Sequence, residues 1–307
     1  DKLVVAFVAE FSRGKSELIN AIFFADYGKR ILPSSAGRTT MCPTELLYDE
    51  SLPPCIRALP IETRGRHGTT TDFKRRSDEW QVYPLDTSSA DGMLNAFKIV
   101  AETVKVPVEL ARSYALYDED DPAQVIALDK NGMVEISKWR HAVINFPHPL
   151  LKQGLVILDT PGLNAIGTEP ELTLSLVPNA HAGLAADTGV TKSDLDVWQH
   201  VVGDAGHKNH IAVLNKIDGL WDPLKTPGEI EREVRRQCAG VAATLDLDPM
   251  RVFPVSAQKG LVAKVQNDST LLDASRLPLL EEALIDLLVP TKQQIVRDQT
   301  VAQVERV

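Results

Sequence analysis

No apolar run in this chain approaches the roughly 18 residues that a membrane-spanning helix needs. Cysteine is scarce: Cys42, Cys55 and Cys238 are the only three, with no C-x-x-C spacing. That excludes a zinc ribbon or a disulfide framework and points to a reducing compartment, the cytoplasm, with buried or idle thiols. Positive charge is not in excess either. A net charge of −9 excludes a general affinity of the whole surface for nucleic acid or anionic lipid, and no specific nucleic-acid binding is expected, while local basic patches remain open. Internal repeats and low-complexity tracts are missing. So is an initiating methionine: Asp1 stands at the threshold of the first strand, so a piece upstream is expected to be missing and a targeting segment stays open. What is present is ordinary for a folded protein. The 307 residues, 44% apolar and 24% charged, suffice for one large α/β domain or two small ones.

The stretch that organises the chain is V-V-A-F-V-A-E-F-S-R-G-K-S-E-L-I-N-A-I, residues 4–22. Leu3 to Val8 is a β-branched apolar run that reads as a buried strand, and Leu18, Ile19, Ile22 and Phe23 have helical spacing. Strand, loop ending in Gly14-Lys15-Ser16, then helix is the phosphate-binding P-loop arrangement. Its backbone N–H groups and helix N-terminus hold phosphate oxygens. Lys15 is placed to reach the β- and γ-phosphates and the Ser16 hydroxyl to ligate Mg²⁺. Ala9 departs from the motif by standing where its first glycine is found, which fits if that residue keeps φ negative.

Residues 26–38 form a Gly/Ser/Pro-rich loop, and Thr44 to Tyr48 has strand character. A threonine in that loop can sense a γ-phosphate through its hydroxyl and carbonyl. Thr40 is the choice and a further Mg²⁺ ligand, with Thr39 and Thr44 as rivals. From Asp49 to about Pro149 lies a long insertion. Within it Cys55 to Glu62 reads as a strand, Arg64 to Arg76 as a basic, turn-rich loop, Ala90 to Lys105 and Val108 to Tyr117 as helices, and Val134 to Phe146 as one strand. The basic run either meets phosphate or lipid headgroups or is a hydrated loop.

Gly154 to Leu158 is a second short buried strand ending in Asp159-Thr160-Pro161-Gly162. An acidic residue closing an apolar strand, followed by x-x-Gly, is the other half of a P-loop NTPase site: Asp159 holds Mg²⁺ through water and the Gly162 amide meets the γ-phosphate. A central strand is due next, yet residues 182–186 read A-G-L-A-A, poor in the bulky residues a doubly covered strand uses. Ser193 to Val202 reads as a helix, His210 to Leu214 as a strand, Glu229 to Leu245 as an amphipathic helix, Arg251 to Val255 as a last strand, and Pro278 to Leu288 as a helix. Residues 291–307 carry a thin apolar stripe that suits packing on another helix. His207 and His210 lack a third ligand at close spacing and read as loop histidines.

The strand at 210–214 runs into Asn215-Lys216-Ile217-Asp218. A carboxylate at Asp218 accepts hydrogen bonds from guanine N1 and the 2-amino group, which adenine cannot offer; Lys216 lays its stem over the base, and Asn215 ties neighbouring loops together. Such a site rejects a base that lacks those donors. The Ser256-Ala257 turn offers a backbone N–H to guanine O6. Four motifs in this order, each at the C-terminal end of a strand, fit the ligand crevice of an open α/β sheet and imply guanine-nucleotide binding, GTP as substrate and GDP as product.

The set A-E-F-S-R-G-K-S, T-T, D-T-P-G and N-K-I-D, with over a hundred residues between Thr40 and Asp159, resembles GTPases of the dynamin superfamily in their bacterial dynamin-like and mitofusin-like branch. The resemblance implies a P-loop GTPase domain over 1–290: an α/β fold with a central, mostly parallel sheet, helices on both faces, a large insertion between switch I and switch II, and a C-terminal exit helix. Residues 291–307 then begin a helical neck. It implies GTP hydrolysis, nucleotide-driven homodimerisation and membrane remodelling through parts outside this chain, at a peripheral membrane location. Leu163 stands where other GTPases have a water-orienting glutamine. The resemblance assigns that task to Ser12 and backbone carbonyls, with a monovalent cation, K⁺ or Na⁺, at the phosphates. Arg13 is either a cation for the phosphates or a solvent-facing or dimer-contact residue, and Trp221 and Asp222 could cross a dimer interface. The other reading is a regulatory or scaffold GTPase, for example one associated with chromosomes or replication, that switches a protein partner. An ATPase would require N-K-I-D to be accidental.

Overall fold

Among the described residues, short apolar runs supply eleven strands: β1 (Leu3–Val8), β2 (Thr44–Leu47), β3 (Cys55–Pro60), β4 (Gln81–Pro84), β5 (Thr103–Pro107), β6 (Met133–Ser137), β7 (Trp139–Asn145), β8 (Leu155–Asp159), β9 (His181–Ala186), β10 (Ile211–Leu214) and β11 (Val252–Pro254). Nine of them form one sheet in the order β11-β10-β9-β1-β8-β2-β7-β3-β4, and β5 pairs with β6 in a separate antiparallel ribbon. The computed structural model describes residues 3–8, 14–32, 42–117, 119–120, 128–159, 181–186, 190, 195, 198 and 211–286, and for 3–8, 159 and 181–186 the backbone alone.

The half of the sheet from β11 to β8 is parallel throughout. β2 runs antiparallel to β8 and parallel to β7, and β3 and β4 continue antiparallel to the edge. Among the described residues the α-helices are α1 (Lys15–Ile19), α2 (Thr70–Lys74), α3 (Ala90–Val100), α4 (Val108–Ser113), α5 (Pro149–Lys152), α6 (Pro227–Leu245), α7 (Ala257–Gln266) and α8 (Ser269–Ser275), and residues 277–286 are also helical. Side chains that alternate along each strand divide between two layers. In β10, Ile211 and Val213 join a core with α1, α3, α7 and the 277–286 helix, whereas Ala212 and Leu214 join one with α6. Helices therefore cover both faces, as the sequence pattern implies. Among the described residues no helix is long and apolar enough to cross a membrane.

Several boundaries differ from the sequence reading. Val134 to Phe146 is two strands in two sheets, parted at Lys138, whose N–H donates to the Glu102 carbonyl (2.9 Å) instead of continuing a ladder. The expected helix from Ala90 to Lys105 ends at Val100, because the β-branched T-V-K-V of β5 pairs with β6. The basic loop contains the helical turn α2, and two helices, α7 and α8, went unanticipated after Ser256. The expected helix at 193–202 is helical at its two described positions, 195 and 198. The weak A-G-L-A-A run is a strand after all: β9 pairs in parallel with β1 on one side and β10 on the other. Pairing on both sides, with His181–Leu184 on β1 and Gly183–Ala186 on β10, holds a central strand in place whatever its own residues prefer. Residues 291–307 and the histidine at 207 lie outside the described residues.

Candidate functional site

The first signal of the site is backbone geometry at the start of α1. Gly14 takes φ +86°, in the left-handed region, and α1 begins at the next residue. A Cβ built on Gly14 would stand 2.4 Å from Nδ2 of Asn215, so the P-loop glycine and the first residue of N-K-I-D are in close contact across the fold. Lys15 is 9% exposed in the first turn of α1, with Ser16 half-buried beside it.

Asn215 closes β10 and is 4% exposed. Its Oδ1 accepts hydrogen bonds from the N–H of Lys216 (2.8 Å) and of Ala257 (3.0 Å). One buried amide thus joins three segments: the P-loop, the loop after β10 and the turn after β11. Lys216 adopts φ 60°, a left-handed residue that turns the chain away from the strand end. Ile217 N–H then bonds to the Val255 carbonyl (3.2 Å), locking the 216–218 turn against β11. Asp218 is fixed by its carboxylate, since Ser256 Oγ donates to Oδ1 at 2.6 Å. Ser256 also caps α7, accepting from the Lys259 N–H (3.3 Å), so its hydroxyl is held from both sides. The sequence assigned this turn a backbone N–H for guanine O6, but the Ser256 N–H donates to the Ser275 carbonyl (2.9 Å) and the Ala257 N–H to Asn215 Oδ1 (3.0 Å); the contact from the Ser256 hydroxyl to Asp218 was not anticipated.

β8 brings the second carboxylate. Asp159 pairs in register with Phe7 of β1, two residues before the loop that leads to Gly14, and with Thr44 of β2 on its other side. Strand ends of β1, β8, β10 and β11 therefore open on one crevice, the expected ligand position for this class of sheet. Thr44, a rival for the γ-phosphate sensor, lies within β2 with its hydroxyl donating to the Cys42 carbonyl (3.2 Å). Ser12, Arg13, Thr40 and Gly162, together with the Asp159 side chain, lie outside the described residues.

Two anchoring contacts were missed by sequence reasoning. Glu17 accepts two hydrogen bonds from Arg30 Nε (2.9 and 3.0 Å) and one from its Nη2 (2.7 Å). The fully buried Asn20 accepts from the N–H groups of Ile31 (2.9 Å) and Leu32 (2.8 Å) and donates to the Leu32 carbonyl (2.8 Å). Residues three apart on one helix thereby pin the segment from Arg30 to Leu32; the polar i, i+3 spacing was the available signal. Beside Asp159, Glu45 of β2 is buried against His141 (3.1 Å) and Lys74. Burial pushes its carboxyl up, but the hydrogen bond and charge of His141, followed by Lys74, outweigh that and hold it at about 2.

The model of the dynamin family matches residues 5–217, which includes most of β1 and every strand from β2 to β10. The chain belongs to the dynamin family. As a dynamin-family G domain it is 25% identical to the bacterial dynamin-like protein of Nostoc punctiforme over 202 residues, 61% of this chain and 28% of that protein. It is 26% identical to Mitofusin-2 of Rattus norvegicus over 275 residues, 85% of this chain and 29% of that one. This dynamin-type chain thus spans less than a third of either curated relative's length. Its fold is shared with a structure of an oligomerised bacterial dynamin pair, described as a mechanism for long-range sensing and tethering of membranes. The TM-score is 0.53 at 15% identity, covering 99% of this chain and 50% of that one.

Proposed function

We propose that this chain is the GTP-binding and GTP-hydrolysing domain of a dynamin-like protein, spanning residues 1–290, with 291–307 opening the helical part that follows. The observation that carries the reading is the Asn215 clamp. It sets the phosphate loop at Gly14 against the turn that carries Asp218, an arrangement suited to a single ligand with phosphates at one end and guanine at the other.

In this reading the Asp218 carboxylate, steadied by Ser256, accepts from guanine N1–H and the 2-amino group, and Lys216 covers the base. The P-loop amides and Lys15 take the β- and γ-phosphates. Ser16 in the first turn of α1 and Asp159 at the end of β8 stand at matching strand ends, which fits Mg²⁺ held by a hydroxyl and a water-bridged carboxylate, with Thr40 completing the set. Bound there, Mg²⁺ supplies charge neutralisation at the phosphate oxygens. Ser12 and the Gly162 amide orient the attacking water and the γ-phosphate, and Arg13 or a monovalent cation offsets the remaining charge.

Dimerisation across the nucleotide face is supported by the loop after N-K-I-D. There Leu224 is 95% exposed close to the base-binding turn, flanked by the half-buried Trp221 and Asp222. Membrane remodelling is supported by the relatives: one is a mitofusin, and the matched bacterial pair is described as tethering membranes. The deciding measurement is GTP turnover against protein concentration, in potassium and in sodium. Turnover per molecule that climbs with concentration, with dimers on a transition-state analogue, is expected. Flat, slow turnover without dimers would replace this reading by the regulatory-switch one.

A further inference from the structure

The basic stretch 64–76 is not a hydrated loop. Arg140, 6% exposed on β7, donates to the carbonyls of Thr63 (3.0 Å) and Gly68 (3.3 Å), and Arg64 donates to the Tyr114 carbonyl (2.7 Å). Thr69 and Asp72 form a capping box at the start of α2, and Phe73 is fully buried under it. Trp80 Nε1 donates to the Phe73 carbonyl (2.8 Å), so the segment is clamped at both ends.

This clamping decides where the cations go. Arg76 lies over the Phe73 ring at 5.3 Å, with Arg140 over the same ring at 5.4 Å, and Arg57 of β3 lies over Trp80 at 5.9 Å. Arg57 is directly opposite Val82 in the β3–β4 pair, and Val82 is 60% exposed. Among the described residues, Arg57, Arg75 and Arg76 have no carboxylate within ion-pair distance, although the charges of Arg75 and Arg76 help to hold the Asp72 carboxyl down, in a chain whose net charge is −9. Nearby carboxylates are spoken for in part: Glu79 pairs with Arg66 (2.8 Å) and Asp72 is used by the α2 cap, leaving Glu62 and Asp78 exposed. Arg57 and Arg76, stacked on aromatic faces, keep their charge with little rotamer freedom left to lose, and Arg75 is exposed next to Arg76 in the chain.

We propose that Arg57, Arg75, Arg76 and Val82 form a contact surface for anionic lipid headgroups at the β4 edge of the sheet. Unpaired guanidinium groups beside an exposed apolar residue match a bilayer interface, where phosphates lie next to hydrocarbon. β4 is five strand spacings from β1, about 24 Å at about 4.8 Å each, so the surface is separate from the nucleotide crevice. It deepens the membrane part of the proposed function by giving the G domain its own contact with the bilayer, and it rests on that part.

The test is sedimentation of the 307-residue chain with vesicles of phosphatidylcholine alone and with 30% phosphatidylserine, at two salt concentrations. Binding to the anionic vesicles that weakens with salt is expected. Each arginine removed should lower partition about fivefold, so Arg75→Gln with Arg76→Gln should lower it about 25-fold. Val82→Ser should weaken binding at high salt as well as low. Heat of Mg–GDP binding, measured on the same preparations, should not change; its absence in the unmodified chain would instead strike at the nucleotide reading. Equal partition of the double variant and the parent, no anionic-vesicle binding by the parent, or preferential binding to duplex DNA would each overturn the lipid surface. A full block by millimolar inorganic phosphate would reassign it to free phosphate and overturn it too.

Discussion

Replacing Gly14 by alanine tests the clamp at its tightest point. An alanine at φ +86° carries about 1 kcal/mol of backbone strain. Its Cβ also arrives 2.4 Å from Asn215 Nδ2, and the amide must move. An amide end moves cheaply when free, but here Oδ1 is engaged by the N–H groups of Lys216 and Ala257. Displacing it forfeits both bonds, about 1 kcal/mol each, giving a total of about 3 kcal/mol. For a domain of this size that is a fall of about 6–12 °C in Tm. Mg–GDP affinity should drop about tenfold, because the 216–218 turn loses its anchor. Thermal unfolding and titration calorimetry read the two effects. The decisive arm is the cycle with Asn215→Ala. Where the clash partner is already gone, Gly14→Ala should cost only its backbone strain, leaving a coupling of about 2 kcal/mol. Identical costs of Gly14→Ala in both backgrounds would refute the contact as the cause.

Asp218→Asn should weaken GDP at least about 100-fold and favour a base bearing a 2-oxo group, while Ser256→Ala should cost about tenfold; competition titrations with guanine, xanthine and adenine nucleotides check both. Stability should fall in two acid steps. His148 is held down at about 4 by burial and then by Lys264, so the unfolded chain takes up its proton first, and stability present above pH 6.5 is lost toward pH 4. Glu45 is held at about 2, so its contribution, about 3 kcal/mol, is complete above pH 4.5 and lost toward pH 2. Denaturation midpoints at pH 7, 5 and 3 should show the first step vanish in His148→Gln, and an unchanged profile would count against it. Lys264 bonds both the Ala21 carbonyl (2.9 Å), in the π-helical turn that follows α1, and Glu281 on the 277–286 helix. Lys264→Met should therefore lower stability by about 2 kcal/mol, read as a fall of about 4–8 °C in Tm.

The sequence by itself determined the local chemistry of this dynamin-family domain. Gly14-Lys15-Ser16, Asp159 and Asn215-Lys216-Ile217-Asp218 each end or follow a strand that hydrophobic patterning locates, because strand formation and turn chemistry act over a few residues. What the sequence left undecided depends on partners distant along the chain. The A-G-L-A-A run became β9 because β1 and β10 pair with it, a gain that no property of its own residues records. One apparent strand, 134–146, divided at Lys138 because its halves found partners in different sheets. Gly14 meets Asn215, Ser256 meets Asp218 and Arg140 fastens the 64–76 segment only once the sheet order is set. Such contacts join residues far apart along the chain, and tertiary structure alone decides which of them can be made.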